Sequence, residues 1–403
     1  MEIRMLICAV LLLLASPEPA ASSPPVHHRR YHSIFSFGDS FADTGNNPAV
    51  FAWYSVFDHV MRPPYGTTFF GHPTGRNCDG RLILDFIAES LALPYVPPFL
   101  GPPFASHSPA DDDGRRFRHG ASFAVGAATA LDVEFFRERD IPGGRSKFPF
   151  NTSLAVQLGW FEILKPSLCR TPQECRKFLG RSLFIVGEFG VNDYHLSFKR
   201  KSVPEIRTYV PHVVNAISMA IERLIEHGAK TLVVPGVIPS GCSPPVLAKF
   251  PDAGPTEYDP RTGCLKEQNE LGLHHNTLLQ ESLKKLRAKH PGARIIYADF
   301  FGPVMAMIES PHKFGFREDI LTVCCGGPGR HNFNSTVPCG DPDDATTCSN
   351  PSASLYWDGV HFTEAANRYI ADGWLTSLKK ATWPSCSADG VDRPCSAKSF
   401  PEN

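Results

Sequence analysis

The 403-residue sequence has no surplus of either charge. Forty lysines and arginines face 41 aspartates and glutamates, for a net charge of −1. A general nucleic-acid binder or a binder of anionic membranes needs a basic excess, so both classes are excluded. The chain also lacks low-complexity blocks, and its 42% hydrophobic and 20% charged residues are those of a globular protein. Beyond the first fifteen residues there is no long apolar run, so no transmembrane span is expected. Cys-x-x-Cys pairs and His-Glu-x-x-His stretches are missing, which leaves no metal site to predict. The Gly-x-Ser-x-Gly elbow of the common α/β-hydrolases is missing as well.

The N-terminus reads as a targeting segment. Arg4 precedes an apolar run from Leu6 to Ala15, which is too short to span a bilayer, and the small residues Ala20, Ala21, Ser22 and Ser23 follow. Cleavage near residues 22 and 23 would leave 23–403 as a single domain, with a cysteine-containing tail from about residue 380. The expected route is secretory, ending in the cell wall, the Golgi or the vacuole. Cysteine usage fits an oxidising compartment. Of the twelve cysteines, Cys8 would leave with the signal. Spacing suggests pairs Cys169–Cys175, Cys242–Cys264 and Cys386–Cys395. Cys324 and Cys325 would pair with Cys339 and Cys348 in either order, leaving Cys78 over. Sequons at Asn151 and Asn334 are candidate glycosylation sites.

Short apolar runs alternate with helical patterns. Strands are expected at Ser33–Phe37, Ala121–Val125, Leu183–Val186, Thr231–Val234 and Arg294–Tyr297. Helices are expected at Leu82–Leu91, Pro204–His227, Leu265–Lys289 and Thr363–Leu378. This alternation predicts a parallel sheet covered on both faces, with any site along the edge formed by the strand C-termini. Residues Pro94–Gly120 and Asp299–Ser354 read as long loops rich in proline and glycine.

Chemistry concentrates in four segments. Ser40 lies just after a strand and a glycine turn, where a nucleophile is wanted, although it also fits a helix N-cap. Asp358 and His361 are three residues apart, so the carboxylate can orient the imidazole as a general base; a solvated loop histidine is the alternative. Asn192 follows the third strand and offers an amide donor for an oxyanion, or else occupies a left-handed turn. The stretch Gly120–Ala128 is rich in small residues and brings backbone N–H groups close to a ligand, or else serves tight strand–helix packing.

In order, these segments read FGDSFADTGNN from Phe37, SFAVGAATAL from Ser122, GEFGVNDY from Gly187 and WDGVHFTEAANRYIA from Trp357. Blocks beginning at Arg62 and Val234, together with His275-Asn276, add support. The combination resembles the plant branch of the GDSL esterase/lipases, the SGNH hydrolases, over nearly all of the mature chain. The resemblance implies a three-layer α/β/α sandwich with a central, mainly parallel five-stranded sheet, SGNH/flavodoxin-like. It makes Ser40 the nucleophile, His361 the general base, Asp358 its orienting acid and Asn192 an oxyanion donor. The family's oxyanion glycine falls near Gly126-Ala127, and the aligned donor is the Ala127 backbone N–H. Phe41 replaces the usual leucine after the serine. A carboxylic ester hydrolase with an acyl-enzyme intermediate follows, with no metal or organic cofactor. Its partner would be an ester substrate: an acetylated polysaccharide, a secondary-metabolite ester or a lipid. The neutral charge balance favours a short acyl group, and a monomer is expected. An acyltransferase using the same acyl-enzyme, or a binding protein that retains the fold, is the alternative.

Overall fold

A computed structural model describes residues 30–101, 116–141, 151–251 and 254–380. The predicted signal segment, the tail from residue 380 and the Cys386–Cys395 pair lie outside the described residues. Five strands form the central sheet: β1 Ser33–Phe37, β2 Gly120–Ser122, β3 Ser182–Val186, β4 Thr231–Pro235 and β5 Arg294–Ala298. Their order is β2-β1-β3-β4-β5, and every pairing is parallel. Strands β1, β3 and β4 are buried along their whole length, as expected for continuous apolar runs covered on both faces.

The order explains where the helices go. Right-handed crossovers put the connection from β1 to β2 on one face and those from β2 through β5 on the other. Helices Leu154–Leu168, Val210–His227 and Lys266–Lys289 accordingly pack together, while Ile83–Ser90 packs with the last helix, Glu364–Lys380. Phenylalanine rings fill the layer between sheet and helices. Phe37 stacks on Phe123 with centroids 5.1 Å apart, and Phe161 meets Phe35 edge-on at 5.5 Å. Each such ring removes a large apolar area from water and fixes the helix above it.

The differences from expectation have local causes. Strand β2 ends at Ser122 rather than Val125, because the chain beyond it bends to follow the end of β1; Phe123 N–H still donates to Ser36 O and Val125 N–H to Gly38 O. The long helix expected from Pro204 is two helices, Val203–Arg207 and Val210–His227, the second carrying Pro211 in its first turn, where a missing N–H costs nothing. The stretch 299–354 is not all loop. It holds the helix Phe301–Glu309 and a short antiparallel pair, β6 Cys325–Gly326 and β7 Thr346–Thr347.

Four disulfides occur among the described residues: Cys169–Cys175, Cys242–Cys264, Cys324–Cys348 and Cys325–Cys339. The first two are as predicted, and the last two settle the open order. Cys78 is a buried free thiol, and burial raises its pKa well above the usual thiol range. Among the described residues no helix is long and apolar enough to cross a membrane, and no group of three His, Cys, Asp or Glu could hold a metal ion.

Candidate active site

The order 2-1-3-4-5 reverses direction at β1, so loops leaving β1, β2 and β3 splay apart at their C-terminal ends and open a crevice. Ser40 sits two residues past the glycine that ends β1 and is 7% exposed. The turn is clamped from below. Gln157, fully buried on the helix Leu154–Leu168, accepts from Gly38 N–H at 3.0 Å and donates to Gly38 O at 2.8 Å. An added Cβ at Gly38 would lie 3.0 Å from Gly187 O, so the turn has no room for a side chain there.

Asp358 and His361 reach Ser40 from the loop before the last helix. Cys324 N–H donates to Tyr356 O and Cys325 N–H to Trp357 O, so two adjacent disulfides hold this loop by its backbone. His361 Nε2 lies 2.7 Å from Ser40 Oγ, and its Nδ1 lies 2.6 Å from Asp358 Oδ1. The three predicted residues therefore form one continuous hydrogen-bonded chain. Burial alone would lower the His361 pKa, but the Asp358 charge and hydrogen bond outweigh it, and the net shift is upward. Phe41 meets the His361 ring edge-on at 5.7 Å and packs against Phe300 and Phe362, so the replacement of leucine adds an aromatic wall behind the base.

The oxyanion residues are only partly as expected. Gly126 is corrected: its N–H donates to Asp43 Oδ2 at 3.0 Å and is not available to a substrate. Asp43 also accepts from the backbone N–H groups of Gly45, Asn46 and Asn47, so it ties the loop after β2 to the loop after β1. Ala127 keeps a free N–H. Neither it nor Ser40 N–H has a protein acceptor among the described residues. Ala127 has φ 62°, a left-handed conformation that costs an L-residue about 1–2 kcal/mol. Asn192 lies at the same end of the crevice, but both of its amide hydrogens are engaged: Nδ2 donates to Asp39 Oδ2 at 2.8 Å and to Ala128 O at 3.0 Å.

Beneath Ser40 lies a carboxyl pair that sequence reasoning did not flag. Asp39 and Glu188 are both buried. Burial, reinforced by the Asp39 charge, drives Glu188 well above the usual carboxyl range. Burial also raises Asp39 to about 6, opposed by Phe41 N–H and the His361 charge. Glu188 Oε1 accepts from Val191 N–H at 3.0 Å, and its Oε2 is buried without a hydrogen-bond partner among the described residues.

Tyr65 was also missed as a site residue. Its hydroxyl donates to Asp358 Oδ2 at 2.5 Å, the oxygen that His361 leaves free. The signal was in the Arg62 block, but a tyrosine in a proline-rich turn does not announce what it will touch. Of the two sequons, Asn151 is exposed. Asn334 is half-buried, with its amide donating to Pro328 O at 3.1 Å.

The profile of the GDSL-like lipase/acylhydrolase family matches residues 34–374, which spans every element of this site. The chain belongs to that family. A GDSL esterase/lipase of Arabidopsis thaliana is 44% identical over 86% of this chain and 84% of its own. A second one from the same plant is 45% identical over 86% and 91%. The sinapine esterase of Brassica napus is 43% identical over 91% and 92%. This GDSL protein is accordingly a carboxylic ester hydrolase. Among solved structures, a phospholipase A1 from Streptomyces albidoflavus aligns with 87% of this chain and all of its own, at 12% identity and a TM-score of 0.36. The fold of the GDSL protein is assigned from its own strand order, not from so loose a superposition.

Proposed function

We propose that the protein is a serine esterase of the secretory route, acting through an acyl-enzyme on Ser40. The observation that carries this reading is the unbroken relay from Ser40 Oγ through His361 to Asp358. In it, Ser40 Oγ attacks the ester carbonyl while His361 Nε2 takes its proton. Asp358 holds the Nδ1–H tautomer and stabilises the imidazolium that forms. The developing oxyanion accepts from the free N–H groups of Ser40 and Ala127. Asn192 joins as a third donor by sharing one of its amide hydrogens with Ala128 O or Asp39. His361 then protonates the leaving alcohol, water enters, and the same base activates it to release the acid.

The four disulfides support folding in an oxidising compartment. Candidate substrates are acetylated glycans, small-molecule esters such as that named for the sinapine esterase relative, and lipid esters. The test is hydrolysis of p-nitrophenyl acetate, butyrate and a long-chain ester by the wild type and Ser40→Ala, alongside labelling by a fluorophosphonate. Activity and labelling are both expected to vanish in the variant. A Ser40→Ala protein that hydrolyses as fast as wild type refutes the nucleophile assignment.

A further inference from the structure

A cavity of about 570 Å³ opens between the helix Val191–Ser197, the segment 245–251 and the loop 328–335. It adjoins the relay on two sides. His195 stands one turn beyond Asn192 on the same helix, and Lys199 lies two residues past that helix's end. On the other side, Gly359 directly follows Asp358 in the loop that carries His361. A Cβ on Gly359 would lie 3.2 Å from Phe333 and 3.3 Å from Pro245, both wall residues of the cavity. The cavity thus neighbours the site through the helix that carries Asn192 and through the walls that meet Gly359.

Among the described residues its lining carries Lys199, Lys249 and Arg330 and no acidic residue. None of the three makes an ion pair among the described residues, although surface cations elsewhere do, as in Arg223–Glu162 and Lys289–Glu222. Lys249 reaches only the Phe198 ring at 5.9 Å, and Arg330 only Tyr258, whose hydroxyl is 3.4 Å away. Burial and the neighbouring Lys199 press Lys249 down to about 8. Burial and Lys249 hold His195 near 3, so its imidazole stays neutral, and Nε2 is buried without a partner. Among the described residues, three cations without an ion-pair partner and an unsatisfied ring nitrogen thus gather around one apolar-walled chamber.

We propose that this chamber is a carboxylate subsite, and that the preferred substrates are esters that also bear a carboxylate. Lys199, Lys249 and Arg330 supply the charge and His195 Nε2 a hydrogen bond. The inference rests on the esterase reading for its catalytic consequence, but not for binding. A carboxylate on the acyl side and one on an acidic sugar present the same chemistry, and the assay separates them.

The wild type, Lys249→Met and Lys199→Met/Lys249→Met are compared on three ester substrates: mono-p-nitrophenyl suberate, p-nitrophenyl octanoate and an acetylated oligogalacturonate. Methionine keeps the packing against Phe198 and removes the charge. The expected result is a higher kcat/KM on at least one anionic ester than on the octanoate. The double variant should lose about tenfold or more of this through KM, with the octanoate rate within about twofold. Loss on the suberate alone assigns the subsite to the acyl side, and loss on the oligogalacturonate to the alcohol side. Equal rates on charged and uncharged esters, unmoved by the variants, overturn the subsite while the esterase reading stands. If the wild type cleaves none of the three, the esterase reading fails. Calorimetric titration with trigalacturonate and with suberate then decides the subsite: binding weakened in the double variant upholds it, and no binding of either overturns it.

Discussion

The hydroxyl of Tyr65 is the most exposing perturbation of the relay, because Tyr65→Phe removes one oxygen and little else. Tyr65 is buried, with its ring edge-on to Trp357 at 5.9 Å, so phenylalanine keeps the packing. The bond lost is a 2.5 Å donation to Asp358 Oδ2. A hydrogen bond to a charged group contributes about 1.5–3 kcal/mol, and Asp358 is too enclosed for water to replace it fully. Stability should fall by about that amount. The kinetic effect has the opposite sense at the base. A carboxylate relieved of one donor holds the His361 proton more tightly. If a third to a half of the lost energy is felt there, the His361 midpoint rises by ~0.5–1 pH unit. The assay is kcat/KM for p-nitrophenyl acetate across pH, with urea unfolding in parallel. The acid limb should move to higher pH, with the plateau within about tenfold of wild type. A variant that is destabilised but has an unmoved acid limb refutes the coupling, and Tyr65 is then a packing residue alone.

Further outcomes follow from the same geometry. Because Asp358 raises the His361 pKa above its ordinary 6.5 and the catalytic form is neutral, wild-type activity should rise with pH through a midpoint above 6.5. In Asp358→Asn the largest upward contribution is lost, and the residual activity, reduced by about 10⁴, should have a midpoint below that of wild type. Ala127→Gly relieves the left-handed strain and leaves the N–H in place, so activity should be retained and stability unchanged or raised by up to about 1 kcal/mol. A loss above tenfold in kcat would show that the alanine methyl has a role in the site. Gln157→Ala leaves Gly38 N–H buried without an acceptor, and should cost about 1–3 kcal/mol on thermal unfolding. Gly38 O keeps Val125 N–H as a donor.

How far the sequence could be read depended on whether a residue's role is local. Ser33–Phe37 forms the strand it spells, because five apolar or small residues end at a glycine turn. Ser40, Asp358 and His361 were legible because each follows a strand or precedes a helix in a recognisable motif. The helices Leu154–Leu168 and Phe301–Glu309 were not: the first has only a weak apolar stripe, and the second begins Phe-Gly-Pro, which reads as a breaker until the first turn tolerates it. Alignment pointed to the Ala127 N–H, but that the Gly126 N–H is taken could not be read, since it depends on Asp43, eighty-three residues away. Gln157 and Tyr65 act through contacts 119 and 293 residues distant, and no spacing rule reaches so far.

The Cys325–Cys339 bridge encloses most of the loop that forms one wall of the cationic chamber, including Pro328, Arg330, Phe333 and Asn334. Its neighbour, Cys324–Cys348, is fastened to the backbone that presents Asp358. The segment is thus closed upon itself at the very point where it meets the catalytic loop. Substitutions inside the ring can reshape what is admitted while the geometry of proton transfer is held by the bonds at its neck. Such a ring is a self-contained insert, whose contents can change without rebuilding the chemistry at its base.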